Sequence, residues 1–292
     1  MSEPVAVGLI GAGPWASLVH APVLAASPHT RLAGVWARRA DAAAELASRH
    51  GTDALATVDE LFERCEAVAF AVPPDIQADL AVRAARAGKH LLLEKPIAGD
   101  LAAAELLANE VQDAGVRSVV VLSWRYAASV RAFLDAARDF DAIGGRGVFV
   151  SGALLGGMFA TPWRLERGPL LDLGPHVVDL LDAAIGPVVG VRAAGNALDW
   201  VELVLQHEGG AVSGASLCAT SALQPHRSSV ELYSHAGVLE IDCATAVGPE
   251  AFATLAEELA TTVRSGDDHP LDVQRGLHLQ RLLANAEAQL KR

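Results

Sequence analysis

The chain has 292 residues, 51% of them hydrophobic and 20% charged, and carries a formal net charge of -12. That length and composition supply a full core for two ordinary domains or one large α/β domain, and they argue against disorder and against any need for a disulfide or metal staple. The acidic balance repels phosphate backbones and anionic lipid surfaces, so neither nucleic acid nor membrane is the expected partner and a small molecule is.

The opening MSEPVAVGLIGAG has no basic segment ahead of its apolar run, and glycines interrupt that run within a few residues; a signal peptide is not expected. No apolar stretch approaches the roughly 18 residues of a membrane span, and alanine-rich helices account for the mean hydropathy of +0.29. From Val5 to about Ser123, short β-type runs alternate with helical patterns. VAVGLI leads to a helix near Trp15–Ala26, RLAGVWA to one at Asp41–His50, AVAFAV to one at Ile76–Ala87 and HLLLE to one at Leu101–Ala114, and SVVVLS closes the series. This βαβ punctuation predicts a parallel sheet with helices on both faces. Asp75 and Asp100 stand where N-caps belong, and Gly88 and Gly115 where helices should stop.

After Ser123 the grammar changes. A helix near Ala128–Asp139 precedes the strand GRGVFVSGA and a helix around His176–Ala184. Five strand-like runs follow, GVRAAG, WVELVLQ, GAVSGASLCA, SSVELYS and GVLEID, and then helices at Pro249–Arg264 and Leu271–Leu290. Short Gly-containing links between the strands predict an antiparallel sheet. The expected fold class is therefore α/β: a Rossmann dinucleotide-binding domain over 1–123, then an α+β domain over 124–292 with a largely antiparallel open sheet. Cys65, Cys218 and Cys243 are widely spaced and form no C-x-x-C pair, which suggests buried thiols in a reducing cytoplasm rather than a redox or zinc motif.

Two constellations carry chemistry. GLIGAGPWA, residues 8–16, joins the first strand to the first helix, with Gly11 for the tight turn, Gly13 for backbone approach to a pyrophosphate, then Pro14 and Trp15, and small Ala16 at the third glycine position. At the end of the second strand, Ala37 stands where an NAD-preferring site would place a carboxylate, and Arg38 and Arg39 follow; this favours NADP over NAD, because guanidinium groups match a 2′-phosphate. Val72 and Pro73 close the third strand run and are expected to contact the cofactor. LLLEKPIAG puts Glu94 and Lys95 at the carboxyl end of a parallel strand, the edge where open α/β sheets bind ligands, so both are expected beside the cofactor, and Pro96 holds Lys95 extended or in a turn. In GPLLDLGPHVVDL, residues 168–180, Asp172 and His176 have the spacing of one helical face, with Asp179 three further on. A carboxylate beside an imidazole suits a general acid/base, although the two prolines leave Asp172 either on that helix or just ahead of it.

The glycine turn, EKP and DxGxH, in this order and spacing, resemble the glucose-fructose oxidoreductase, inositol dehydrogenase and MocA (Gfo/Idh/MocA) family across nearly the whole chain. AVPPDIQADLAVRAARAGKHLLLEKP resembles that family's fourth strand, helix and fifth strand, WRY at 124–126 follows its sixth, and TPWRLERG precedes its catalytic segment. The resemblance implies that Lys95, Asp172 and His176 are the catalytic set. His176 would exchange a proton with a substrate oxygen, Lys95 would polarise that oxygen and Asp172 would position substrate and imidazole. Tyr126 and Arg164 are implied substrate-binding residues. Three departures bear on substrate identity: only Gly168 remains of the glycine run before the catalytic segment, Gln77 replaces a common histidine, and Val72 replaces a common threonine.

The expected function is an NADP-linked, or NAD-linked, dehydrogenase or reductase acting on a hydroxyl or carbonyl carbon of a sugar, inositol or related compound. The alternatives are a catalytically weak NAD(P)-binding sensor or assembly protein, and a reductase of an imine or pyrrole-type bond. The open sheet of the second domain favours a homodimer or homotetramer.

Overall fold

The structure is a computed structural model that describes residues 3–291. The chain divides into two compact units, Met1–Val121 with Phe252–Leu277, and Leu122–Ala251 with His278–Arg292. Residues 252–277 were expected in the second domain and instead pack with the first. The reason is a sheet edge: Val120 donates its N–H to Leu271 O at 2.7 Å, and Val273 donates to Ser118 Oγ at 2.9 Å. Arg264 of this returning segment also pairs with Glu66.

In the first unit five strands form an all-parallel sheet in the order β2-β1-β3-β4-β5: β1 Val5–Ile10, β2 Thr30–Trp36, β3 Ala67–Phe70, β4 His90–Leu93 and β5 Ser118–Val120. β1 and β3 are buried at every position, which is why they read as continuous apolar runs. After β1 the chain steps to one side and then to the other, so the order reverses between β2 and β3 across β1, where doubly wound sheets open a ligand crevice. AVAFAV is the third strand of this sheet, not the fourth. The edge beyond β2 is reduced to a single parallel bridge between Val35 and Ala54.

Helices α1 Ala21–Ala26, α2 Ala40–Arg49, α4 Pro74–Arg86 and α5 Leu101–Ala114 lie between the strands as expected. A short helix α3, Val58–Arg64, was not expected; Thr57 caps it by accepting from Glu60 N, and Leu61 packs where Gly8 and Gly34 leave room on β1 and β2. Asp100 caps α5 through Ala103 N, and Gly115, at φ 64°, ends it. The N-cap of α4 is Pro73 rather than Asp75, because Pro74 is preset for the first helical position and starts the helix earlier. Asp75 instead turns its carboxylate onto the space left by Gly99.

The second unit begins with a 3₁₀ turn at Ser123–Tyr126 and helix α6, Ala128–Ala137. Its six strands, β6 Gly144–Val150, β7 Val188–Gly195, β8 Trp200–His207, β9 Val212–Cys218, β10 Arg227–Ser234 and β11 Gly237–Asp242, run in the order β11-β10-β6-β9-β8-β7. Only β6 and β9 are parallel. Helix α7, Pro162–Ile185, packs on one face, with Val177 over Gly147 and Leu217 beside Gly174. On β8, Val201, Leu203 and Leu205 are buried beneath it while Trp200, Glu202 and Val204 face outward. The expected helix at 176–184 is thus the last part of a longer one, broken at Gly168, whose φ of 70° is non-helical. Any Cβ there would overlap the Ala197 carbonyl, so this one retained glycine is demanded by close approach as well as by conformation. The chain ends in α8, Pro249–Ser265, and α9, Val273–Glu287. Among the described residues no helix is long and apolar enough to cross a membrane.

Candidate functional site

The carboxyl ends of β1, β2 and β3 are tied together by backbone. Gly11 N donates to Trp36 O and Ala71 N to Ile10 O, each at 2.8 Å. Gly11 has φ 120°, and a Cβ on it would overlap the Ala71 carbonyl, so the turn closes against β3 only with glycine. Gly13 is different: a Cβ there meets no protein atom within 4 Å, so its bareness serves open space above the turn rather than packing. That space belongs to a cleft of about 600 Å³ lined by Gly11, Gly13, Ala37, Arg38, Arg39, Val72 and Pro73, all anticipated from the sequence, and by Ile76 and Arg83, which were not. Arg83 is already paired with Asp59 at 2.8 Å. Neither Arg38 nor Arg39 makes an ion pair with a described residue, and both are exposed. A bare glycine turn at a helix start, a neutral residue at the end of β2 and two unengaged guanidinium groups fit a dinucleotide with an anionic adenosine end.

Pro14 is exposed at the turn and Ala16 is buried under it. Trp15 points elsewhere: its Nε1 donates to Glu94 Oε1 at 2.6 Å, and His20 Nε2 donates to the same oxygen at 2.8 Å. Residues five apart on an α-helix diverge by roughly 140°. Here Ala16–His20 form a π-helical segment, whose i→i+5 bonding brings Trp15 and His20 to one side, and it leads directly into α1. The Glu94 backbone is held separately by Gln77, a fully buried side chain of α4. Gln77 Oε1 accepts from Glu94 N at 2.8 Å, and its Nε2 donates to the carbonyls of Glu94, Pro96 and Ile97 at 2.7, 3.3 and 3.1 Å. Lys95, half-buried, is the residue these bonds surround, and its peptide to Pro96 is cis. Glu94 and Lys95 are not among the residues that line the cleft, although both were expected to touch the cofactor.

In the second unit, Asp172 and His176 lie past the break in α7, both buried and one helical turn apart. Asp172 is therefore on the helix rather than ahead of it. Its Oδ1 accepts from Arg164 Nε at 3.1 Å, and Arg164 lies over the ring of Trp163, 4.8 Å from its centroid. The His176 ring is 5.3 Å from Trp124 and 6.3 Å from Phe149, which themselves stack at 5.4 Å. Trp124, from the 3₁₀ turn, and Phe149, from β6, stand out in the sequence only as parts of WRY and of the strand run GRGVFVSGA; an aromatic in a core-forming run gives no sign that it will border an imidazole. Tyr126 is buried under the Arg131 guanidinium. Asp179 is occupied by Arg125, whose Nη1 reaches both carboxylate oxygens at 3.1 Å, which makes it a structural partner of the WRY turn.

The three cysteines are free and buried. Burial pushes the Cys65 thiol up to about 11 and the Cys243 thiol up to about 12, so neither offers a thiolate nucleophile near neutral pH.

Comparison with known proteins agrees with this geometry. Residues 5–122 match the model of the Gfo/Idh/MocA family, described as an oxidoreductase family with an NAD-binding Rossmann fold. A dTDP-3,4-didehydro-2,6-dideoxy-alpha-D-glucose 3-reductase from Streptomyces violaceoruber is 30% identical over 200 residues, 64% of this chain and 56% of that protein. The chain thus spans just over half the length of that curated relative. Among solved structures, GenD2 from gentamicin A biosynthesis in complex with NAD is similar with a TM-score of 0.87 at 21% identity, over 99% of this chain and 95% of that one. KijD10, a 3-ketoreductase from Actinomadura kijaniata in complex with NADP, is similar with a TM-score of 0.83 at 20% identity, over 99% and 98%. At such identities these two structures speak for the fold alone. Residues 5–122, which form the parallel doubly wound sheet, are thus the part of the chain that is similar to the Gfo/Idh/MocA oxidoreductase family.

Proposed function

We propose that the protein is an NADP-linked oxidoreductase acting on a hydroxyl or keto carbon of a sugar, an inositol or a related small molecule. The observation that carries the reading is the cleft at the ends of β1, β2 and β3, where the bare face of Gly13 and the unengaged Arg38 and Arg39 meet. Sugar chemistry is supported by the curated 3-reductase relative, which by its name acts on a dTDP-linked keto sugar.

Gly11 and Gly13 would admit the pyrophosphate, Ala37 would leave room for a 2′-phosphate, and Arg38 and Arg39 would bind it. The nicotinamide, when bound, supplies or accepts the hydride. His176 exchanges a proton with the substrate oxygen and Lys95 donates a hydrogen bond to it, which stabilises charge that develops there. Asp172, anchored by Arg164, orients the imidazole and the substrate, and the faces of Trp124 and Phe149 limit how far the His176 ring can turn. Arg164 and Tyr126 contribute to substrate binding.

The outward face of the second unit's sheet presents Trp200, Val204, Val212 and Val238, each more than a third exposed. We propose that it is covered in a homodimer or homotetramer in the cytoplasm, which light scattering on the purified protein would test.

Fluorescence titration with NADPH and NADH, followed by a screen of sugars, inositols and keto sugars in both directions, tests the function. Tighter NADPH binding with turnover is expected, and absence of binding to either nucleotide would overturn the reading. Lys95→Ala and His176→Ala should each lower kcat by about 10²-fold or more with little change in cofactor affinity; wild-type rates in both would remove them from the mechanism.

A further inference from the structure

We propose that Gln77 is a positioning residue, which sets the turn that presents Lys95 and so governs the rate of proton transfer without touching substrate. The inference rests on the reading of Lys95 given above.

The side chain is fully buried, and all its polar capacity goes to one stretch of backbone. Its amide accepts from Glu94 N and donates to the carbonyls on both sides of Lys95, those of Glu94 and Pro96, and to that of Ile97 beyond. The orientation of the amide is dictated by this set. Three carbonyl oxygens gather at Nε2 and one N–H points at Oε1, so the flipped amide would set oxygen against three oxygens. A single side chain therefore fixes the backbone immediately before and after Lys95, and a Lys95 ammonium displaced by about 1 Å is enough to cost on the order of 10²-fold in rate. The Gln77 side chain makes no hydrogen bond to the described residues that line the cleft at Gly11 and Gly13, so cofactor affinity should be spared. This also gives a physical meaning to the departure noted in the sequence. The neutral imidazole common at this position offers one donor and one acceptor, whereas the amide offers two donors and one acceptor, and it closes the turn at more points.

The test uses the full-length protein and four variants, Gln77→Glu, Gln77→Met, Gln77→His and Lys95→Ala. Gln77→Glu keeps the shape but replaces the donor with an acceptor, and Gln77→Met removes all four bonds without a charge. Either one, provided its thermal unfolding shows a folded protein, should lose about 10²-fold in kcat while KM for the cofactor stays within about threefold, and Gln77→His should recover most of the loss. A second readout needs neither cofactor nor turnover: the rate at which an amine-reactive ester labels Lys95, followed by peptide mass spectrometry, should rise several-fold in Gln77→Glu or Gln77→Met and return in Gln77→His.

Wild-type kcat in both Gln77→Glu and Gln77→Met, with Lys95→Ala inactive, would overturn the proposal. So would labelling unchanged in both. If Lys95→Ala itself turns over normally, the role of Lys95 falls, and the labelling rate alone then decides whether Gln77 sets its position. A folded Gln77→His that recovers neither rate nor labelling would assign the loss to packing and count against positioning.

Discussion

His20 donates to the Glu94 carboxylate at 2.8 Å, and Trp15, one π-helical turn earlier, donates to the same oxygen. Hydrogen bonds to a charged acceptor are worth about 1.5–3 kcal/mol, so His20→Ala should lower the unfolding free energy by about that amount in urea titration. Trp15→Phe should cost less, because the ring also packs edge-on against Phe252 and much of that contact survives. Both donors share one oxygen and either alone still satisfies it in part, so the double variant should lose more than the sum of the single losses. Strict additivity would show that the two bonds act independently.

Arg38 separates the two nicotinamide nucleotides in the proposed site. Loss of a charge-assisted contact to a 2′-phosphate costs about 1.5–3 kcal/mol, so Arg38→Ala should weaken NADPH by about tenfold or more and leave NADH within a few-fold. Equal weakening of both in fluorescence titration would place the guanidinium away from the phosphate.

The pair Arg125–Asp179 supports rather than reacts. Asp179 is almost wholly buried, so Arg125→Ala removes a charge-assisted partner and should cost about 1.5–3 kcal/mol, read by denaturant unfolding of the second unit. Asp179→Asn should cost less, since the amide needs no counter-charge. The reverse order would mean that the arginine, not the carboxylate, is the group that depends on the pairing.

Stability should fall on mild acidification through His90. Burial, helped by the nearby Arg117 charge, holds its imidazole below the ordinary value of 6.5, and its Nδ1 accepts from Arg117 N at 2.9 Å, which requires that nitrogen unprotonated. The unfolded chain therefore binds the proton more readily, so this contribution is complete above about pH 6.5 and is lost as pH falls toward the folded-state value. Glu66, held below the usual carboxylate range by Arg264, loses its contribution only at lower pH, as its carboxylate protonates. Chemical denaturation from pH 8 to pH 4 should show the earlier decline in the wild type and its absence in His90→Asn.

What the sequence disclosed was mainly local. The strand, glycine turn and helix at 5–26, the cap at Asp100 and the stop at Gly115 depend on neighbouring residues and were all legible. So was the neutral Ala37 followed by two arginines, since the end of β2 lies where its own apolar run ends. α3 carried a readable signal in Thr57 followed three residues later by Glu60, and the segment is short enough to pass for a loop. The partners of Asp172 and Asp179 were not legible: helical spacing offered His176, but Arg164 approaches from before the break in α7 and Arg125 from the 3₁₀ turn, and periodicity holds no record of what packs against a face. Nor did anything in Pro249–Arg264 mark which sheet it would join, because an amphipathic helix names no partner.

The return of Phe252–Leu277 to the first unit bears on how the molecule is made. During synthesis, the parallel sheet emerges with the outer side of β5 lacking its bond to Leu271 and with Glu66 lacking Arg264. The nascent nucleotide-binding half therefore waits, one edge open, through the translation of some 130 residues before its last piece arrives. A fragment cut near residue 123 inherits that open edge permanently, and an unpaired strand edge is an invitation to self-association. For this protein, the first unit's parallel sheet and residues 252–277 are a single folding problem.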